Sequence, residues 1–87
     1  MTVRHLQIYI AVYQQMNITR AAESLHLTQP AVSRAIQELE SYYHIRLFER
    51  IKRRLFRNVA ADEFYARALH IVESFHDIEA EFNNWDE

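Results

Sequence analysis

The chain contains no cysteine and no glycine, and Pro30 is its only proline. Without cysteine there is no disulfide, no thiolate zinc site and no cysteine nucleophile. That absence suits a reducing cytoplasm, which is the expected compartment. Without glycine there is no glycine-cradled phosphate loop. Every chain reversal must then be made by residues that carry a Cβ. The apolar runs fall far short of a membrane span, and no apolar signal core follows the first five residues, Met1 to His5. No membrane partner is expected.

What remains is a chain of 87 residues that is 49% hydrophobic, enough for one small domain with a thin core. The net charge of −2 conceals an asymmetry. Residues 1–58 carry nine Lys/Arg against four Asp/Glu, whereas residues 59–87 carry one against eight. A basic head on an acidic tail suits a head that meets a polyanion. Two ordinary solvated faces would look the same on charge alone.

Helical periodicity dominates. Leu6, Tyr9, Val12, Tyr13 and Met16 mark an amphipathic helix over about Val3 to Met16. Asn17 is an N-cap for a second helix over Ile18 to Leu25, with Ala21, Ala22 and Leu25 inward. After His26 and Leu27, Thr28 is the next N-cap. Pro30 stands in a first turn, where its missing N–H removes no helical bond. The third helix runs from Gln29 to about Tyr43, so the second and third form a helix-turn-helix. Residues around Leu47, Phe48 and Ile51, then Leu55 and Phe56, fit two short strands about the charged tip Lys52-Arg53-Arg54.

From Ala61 the apolar residues Phe64, Ala68, Ile71, Phe75, Ile78, Phe82 and Trp85 follow at alternating steps of three and four, with Leu69 and Val72 widening the seam. One helix over about Ala60 to Asn84 is expected, roughly 37 Å long at about 1.5 Å per residue. A three-helix head is too small to cover it. The rest of the seam calls for a partner, most simply a second copy, against the plainer reading of a helix folded back on its own head. The division expected is a head at 1–58 and a dimerisation helix at 59–87.

The third helix has two faces. Val32, Ile36 and Leu39 point to the core. Gln29, Ser33, Arg34 and Gln37 form a polar side near the N-terminus, where a helix-turn-helix reads base edges. Arg can pair with guanine and Gln with adenine, each bidentately. The bland alternative is a solvated helix face. Arg50, Lys52, Arg53, Arg54 and Arg57 put five cations into eight residues, fit to engage phosphates or a minor groove. A solvated basic loop is the plain alternative.

With those residues in view, the chain resembles the N-terminal DNA-binding domain of LysR-type transcriptional regulators. The resemblance rests on Leu6, Tyr9 and Val12, on ITRAAESLHLTQPAVSRAIQELE, and on LFER at Leu47 to Arg50. It covers about Val3 to Ala60 closely and the rest by layout. It implies a mainly α-helical winged helix-turn-helix followed by a long linker helix that pairs, usually antiparallel, into a homodimer. By that resemblance Gln29, Pro30, Ser33 and Arg34 touch bases or the groove floor, Thr28 holds a phosphate, and Arg53 sits at the wing tip near the minor groove. Gln37 is added from the helix face. Arg50, Lys52 and Arg54 join Arg53 as phosphate or minor-groove contacts, and Phe64, Ala68, Ile71, Phe75, Ile78, Phe82 and Trp85 are the dimerisation residues.

The chain departs from the family at His44, where glycine is usual, near Arg57 and Asn58, where a Leu-Thr pair is usual, and at Ala60 and Ala61, where an Ala-Gly pair is usual. His44 is therefore expected to carry about 1 kcal/mol of left-handed strain, and the second wing strand is rewritten. Full-length members carry a ligand-binding domain after the linker helix. With this chain ending at Glu87, no small-molecule effector site is expected within it, and no cofactor.

An enzyme is disfavoured. His70, Glu73 and Asp77 share a helix face and could hold a metal between two copies, but such spacing is common on an acidic solvated helix, so no metal site is expected. No Ser or Thr stands in a nucleophile motif. The remaining alternative is a dimerisation or protein-interaction module without useful DNA binding. Against it, the third helix offers Gln, Ser and Arg rather than apolar anchors.

Overall fold

The computed structural model describes residues 1–86 and so leaves out only Glu87 of the expected tail. Its elements in chain order are α1 (Val3–Gln15), α2 (Ile18–Leu25), α3 (Gln29–Tyr43), β1 (Phe48–Ile51), β2 (Arg54–Arg57) and α4 (Val59–Phe82). No helix among the described residues is long and apolar enough to cross a membrane.

Each helix begins on a side chain that satisfies an orphan backbone donor. Thr2 and His5 form a reciprocal capping box on α1. The Asn17 Oδ1 accepts from the Arg20 N–H at 2.9 Å, and the Thr28 Oγ1 accepts from Ala31 at 3.2 Å. Asn58 works in both directions. Its Oδ1 accepts from Ala61 at 2.8 Å, while its Nδ2 donates to the Arg46 carbonyl at 2.9 Å. The start of α4 is thereby tied to the entry of the hairpin.

The helix ends show how a chain turns without glycine. Met16, His26 and His44 close α1, α2 and α3 in the left-handed region, at φ of 50°, 57° and 53°. At α2 and α3 the next residue bonds back five positions, Leu27 to Ala22 at 2.9 Å and Ile45 to Glu40 at 3.0 Å. This is the Schellman arrangement that usually recruits glycine. The strain expected at His44 therefore falls on a residue that does occupy that region.

β1 and β2 form an antiparallel pair with Ile51 opposite Arg54, so Lys52 and Arg53 alone make the turn. Both have positive φ, 51° and 68°. A two-residue turn of this kind matches strand twist but favours Asn-Gly. The hairpin packs by Phe48 and Leu55, with Phe48 buried and Leu55 half-buried.

The core joins Leu6, Tyr9 and Val12 of α1 to Ala21 and Ala22, to Val32, Ile36 and Leu39, and to Leu47. Removing the Leu, Val and Ile side chains of this core from water contributes about 1.5–3 kcal/mol each. Ala61, Ala68 and Val72 of α4 close the same core. The small alanines let α4 lie close along α1, where Tyr9 meets Phe64 edge-on at 5.0 Å between ring centres. The result is a winged helix-turn-helix with a protruding final helix.

Candidate nucleic-acid interface

The position of α3 is set from two sides. Val32, Ala35, Ile36 and Leu39 bury its inner face. At its far end the Glu40 carboxylate accepts from the Leu47 and Phe48 N–H groups at 2.6 and 3.1 Å, which holds the first wing strand against the helix. The outer face is left to Gln29, Pro30, Arg34 and Gln37, all exposed, and to half-exposed Ser33. Thr28 is exposed at the N-terminus. Its oxygen lone pair serves the cap, which leaves its hydroxyl proton free to donate.

Two open clefts flank the wing. The first, of about 440 Å³, lies between the starts of α2 and α3 and the hairpin. It brings Gln29 together with Thr19, Arg50, Arg53 and Arg54. The second, of about 430 Å³, lies between α3 and the wing and joins Ser33 and Gln37 to Arg46 and Arg50. Arg50 lines both. Thr28, Pro30, Arg34 and Lys52 line neither cleft; they stand on the exposed surface beside them. Among the described residues none of Arg34, Arg46, Arg50, Lys52, Arg53 and Arg54 is ion-paired. These charges are open to a polyanion.

Two participants escaped the reading of the sequence. Arg46 lies before β1, outside the cation run at 50–57, and lines the cleft between α3 and the wing. Thr19 is ten positions from Gln29, yet it accepts a hydrogen bond from the Gln29 Nε2 at 2.7 Å. Spacing along a single helix could not reveal a contact made across the turn.

Where the wing meets α4, Arg57 lies over the Tyr13 ring at 4.3 Å, and Tyr65 stacks on the same ring at 3.9 Å. The Tyr13 hydroxyl donates to Asp62 at 2.6 Å, and this bond is the first cause of its raised pKa. Burial pushes the Tyr9 phenol up as well.

The expected dimerisation residues fall into two groups. Ala68 is buried and Phe64 packs on Tyr9 and Tyr43 of its own head. Ile71, Phe75, Ile78, Phe82 and Trp85 are exposed by 47, 38, 60, 50 and 62%. Among the described residues of the single chain no three metal-ligating side chains gather.

Residues 3–61 match the family described as bacterial regulatory helix-turn-helix protein, lysR family. The chain is 42% identical over 79 residues to the HTH-type transcriptional regulator CfxR of Cupriavidus necator, covering 91% of this chain and 25% of that protein. It is 42% identical over 73 residues to the Hca operon transcriptional activator HcaR of Escherichia coli, covering 84% and 25%. It thus spans about a quarter of the length of these two relatives. Among solved structures it is similar to BenM_DBD in complex with benA site 1 DNA, with a TM-score of 0.88, 31% identity, and 95% and 96% of the two chains covered. It is likewise similar to CbnR_DBD in its DNA complex, with a TM-score of 0.87, 32% identity and 93% of each chain covered.

Proposed function

We propose, from the premise that this chain belongs to the lysR family of bacterial regulatory helix-turn-helix proteins, that it is the double-stranded DNA-binding part of a cytoplasmic transcriptional regulator and works as a homodimer. The family consists of regulators rather than enzymes. The observation that carries the reading is the exposed polar side of α3 standing beside Arg50, Lys52, Arg53 and Arg54, which have no acidic partner among the described residues, whereas Arg57 is paired with Asp62 at 3.7 Å. DNA complexes among the similar structures support it.

In this reading α3 enters the major groove. Gln29, Pro30, Ser33, Arg34 and Gln37 meet base edges, because only there do the four base pairs present distinct donor and acceptor patterns. Thr28 donates to a phosphate. Arg50, Lys52, Arg53 and Arg54 engage the backbone or the minor groove, a contribution that carries affinity more than sequence. Residues 1–58 do the reading, and the tail from residue 59 does the pairing.

The exposed part of α4 supports a second copy. Ile71 and Ile78 lie four before and three after Phe75, and Phe82 lies seven after it. A spacing of alternating threes and fours matches a second copy in either direction; the antiparallel arrangement, crossing near Phe75, is what the family resemblance implies. Phe64 and Ala68 then mark the end nearest the head, where the partner's last turn arrives.

Selection from a random duplex pool at moderate salt, with Arg34→Ala in parallel, tests the reading. The wild-type chain should recover an inverted repeat, and Arg34→Ala should weaken that site by about 1–3 kcal/mol while sparing random DNA. Recovery of no preferred sequence by a chain that still dimerises would instead support a pairing module without DNA reading.

A further inference from the structure

The Gln29 side chain is not free. Its Nε2 donates to the Thr19 Oγ1 at 2.7 Å, across the turn between α2 and α3. Both residues are exposed and both line the cleft that also holds Arg50, Arg53 and Arg54. A glutamine at the first position of a helix otherwise samples many rotamers, and ordering it on a ligand opposes binding.

A primary amide presents two edges. One pairs the carbonyl oxygen with the N–H on its own side; the other carries only the second N–H. A bidentate contact with adenine uses the first edge, accepting from N6 and donating to N7. Thr19 needs one N–H and can take the second. The bond then has two effects. It holds the side chain in one rotamer beside Thr19, and with Nε2 as the donor it leaves the adenine-matching edge turned outward. Guanine, whose N7 and O6 both accept, calls for two donors on that edge and is refused.

We propose that Thr19 is a positioning residue that locks the Gln29 carboxamide and thereby sets the base preference at the pair Gln29 meets, favouring adenine. The inference rests on the proposed reading of DNA by α3. Thr19 needs no base contact of its own. Its placement follows from the cap below it: Asn17 starts α2, so Thr19 falls in the first turn with its hydroxyl facing the start of α3.

The test uses the whole chain and duplexes of the recovered inverted repeat, with all four base pairs at the position that Gln29→Ala identifies. Thr19→Val removes the hydroxyl at nearly constant shape, and Thr19→Ser restores it. Thermal melts confirm that each variant folds. The expected result for Thr19→Val is a fall of about 5- to 10-fold in discrimination between A·T and G·C at that one pair, within the range of a bidentate contact. Affinity for random duplex and the salt slope should stay unchanged. Thr19→Ser should keep the wild-type preference, and Gln29→Ala should add no further loss of discrimination in the Thr19→Val background.

Unchanged discrimination in Thr19→Val overturns the inference. So does an equal loss on every duplex with a shallower salt slope, which would make Thr19 a phosphate contact only. A wild-type chain with no base preference at any position would defeat the reading of DNA itself, a distinct result.

Discussion

Tyr9 donates its phenol proton to the carbonyl of Ala61 at 2.6 Å, across 52 positions of sequence. The bond joins the first helix to the first turn of the last inside the core. Tyr9→Phe should lower stability at neutral pH by about 1 kcal/mol, the usual net worth of one hydrogen bond. The phenol also makes stability depend on pH. Its folded pKa lies above the unfolded value because burial opposes the phenolate. The contribution is therefore fully present below the unfolded value of about 10 and is lost as pH rises further. Urea melts at neutral pH and at alkaline pH should show the gap between Tyr9→Phe and wild type shrinking at the higher pH.

His44 ends α3 at φ 53° and ψ 45°. A Cβ there crowds the following carbonyl, whereas glycine does not. His44→Gly should raise stability by about 1 kcal/mol, read as a higher denaturant midpoint with an unchanged slope. A lower midpoint would mean that the imidazole makes a compensating contact.

The wing tip sets stability against charge. Replacing Lys52 and Arg53 by Asn and Gly gives the turn the residues its geometry favours, for a gain of about 1–2 kcal/mol. The same change removes two of the wing cations. DNA affinity should fall on every sequence alike, and the salt slope should flatten by about two. Titrations at several salt concentrations would separate this from a loss of base preference.

Glu40 is the clamp between α3 and β1. Glu40→Ala leaves the Leu47 and Phe48 N–H groups without their partner and should lower stability by about 1–3 kcal/mol. The wing cations should also lose their set distance from α3. Hydrogen exchange at the two amides should then accelerate ahead of the rest of the core.

Phe75→Glu addresses the pairing of copies. Phe75 is 38% exposed, so the change should spare the fold of the head. Sedimentation velocity should report a monomer, with binding to an inverted repeat reduced to that of a half-site. A dimer that survives would shift the pairing surface away from this seam.

Most helix limits were legible because capping chemistry is local. Asn17, Thr28 and Pro30 set α2 and α3 to the residue. At α4 the Asn58 cap admits Val59 as well, and the helix ends at Phe82, two residues short of the expected Asn84. The hairpin was readable only from its apolar residues, because Lys52-Arg53 is an unmarked way to build a two-residue turn. On α4 a heptad spacing identifies apolar positions without saying which side meets the head. The head takes Ala61, Ala68 and Val72 and leaves Ile71 outside, since adjacent helical residues point about 100° apart. The polar outer side of α3 proposed to read bases was recognisable from that helix alone. The Thr19 contact and the place of Arg46 depend on how separate elements meet.

The core that holds α3 in place is completed by Ala61, Ala68 and Val72, which follow α3 and the wing in the chain. Synthesis runs the other way. When residues 1–58 have left the ribosome, the side of α1 that α4 covers is still bare and the Tyr9 hydroxyl has no Ala61 to meet. Closing that distant pair requires a long loop to find its end. The surface proposed to read DNA therefore matures last, once the helix proposed to pair two copies has emerged.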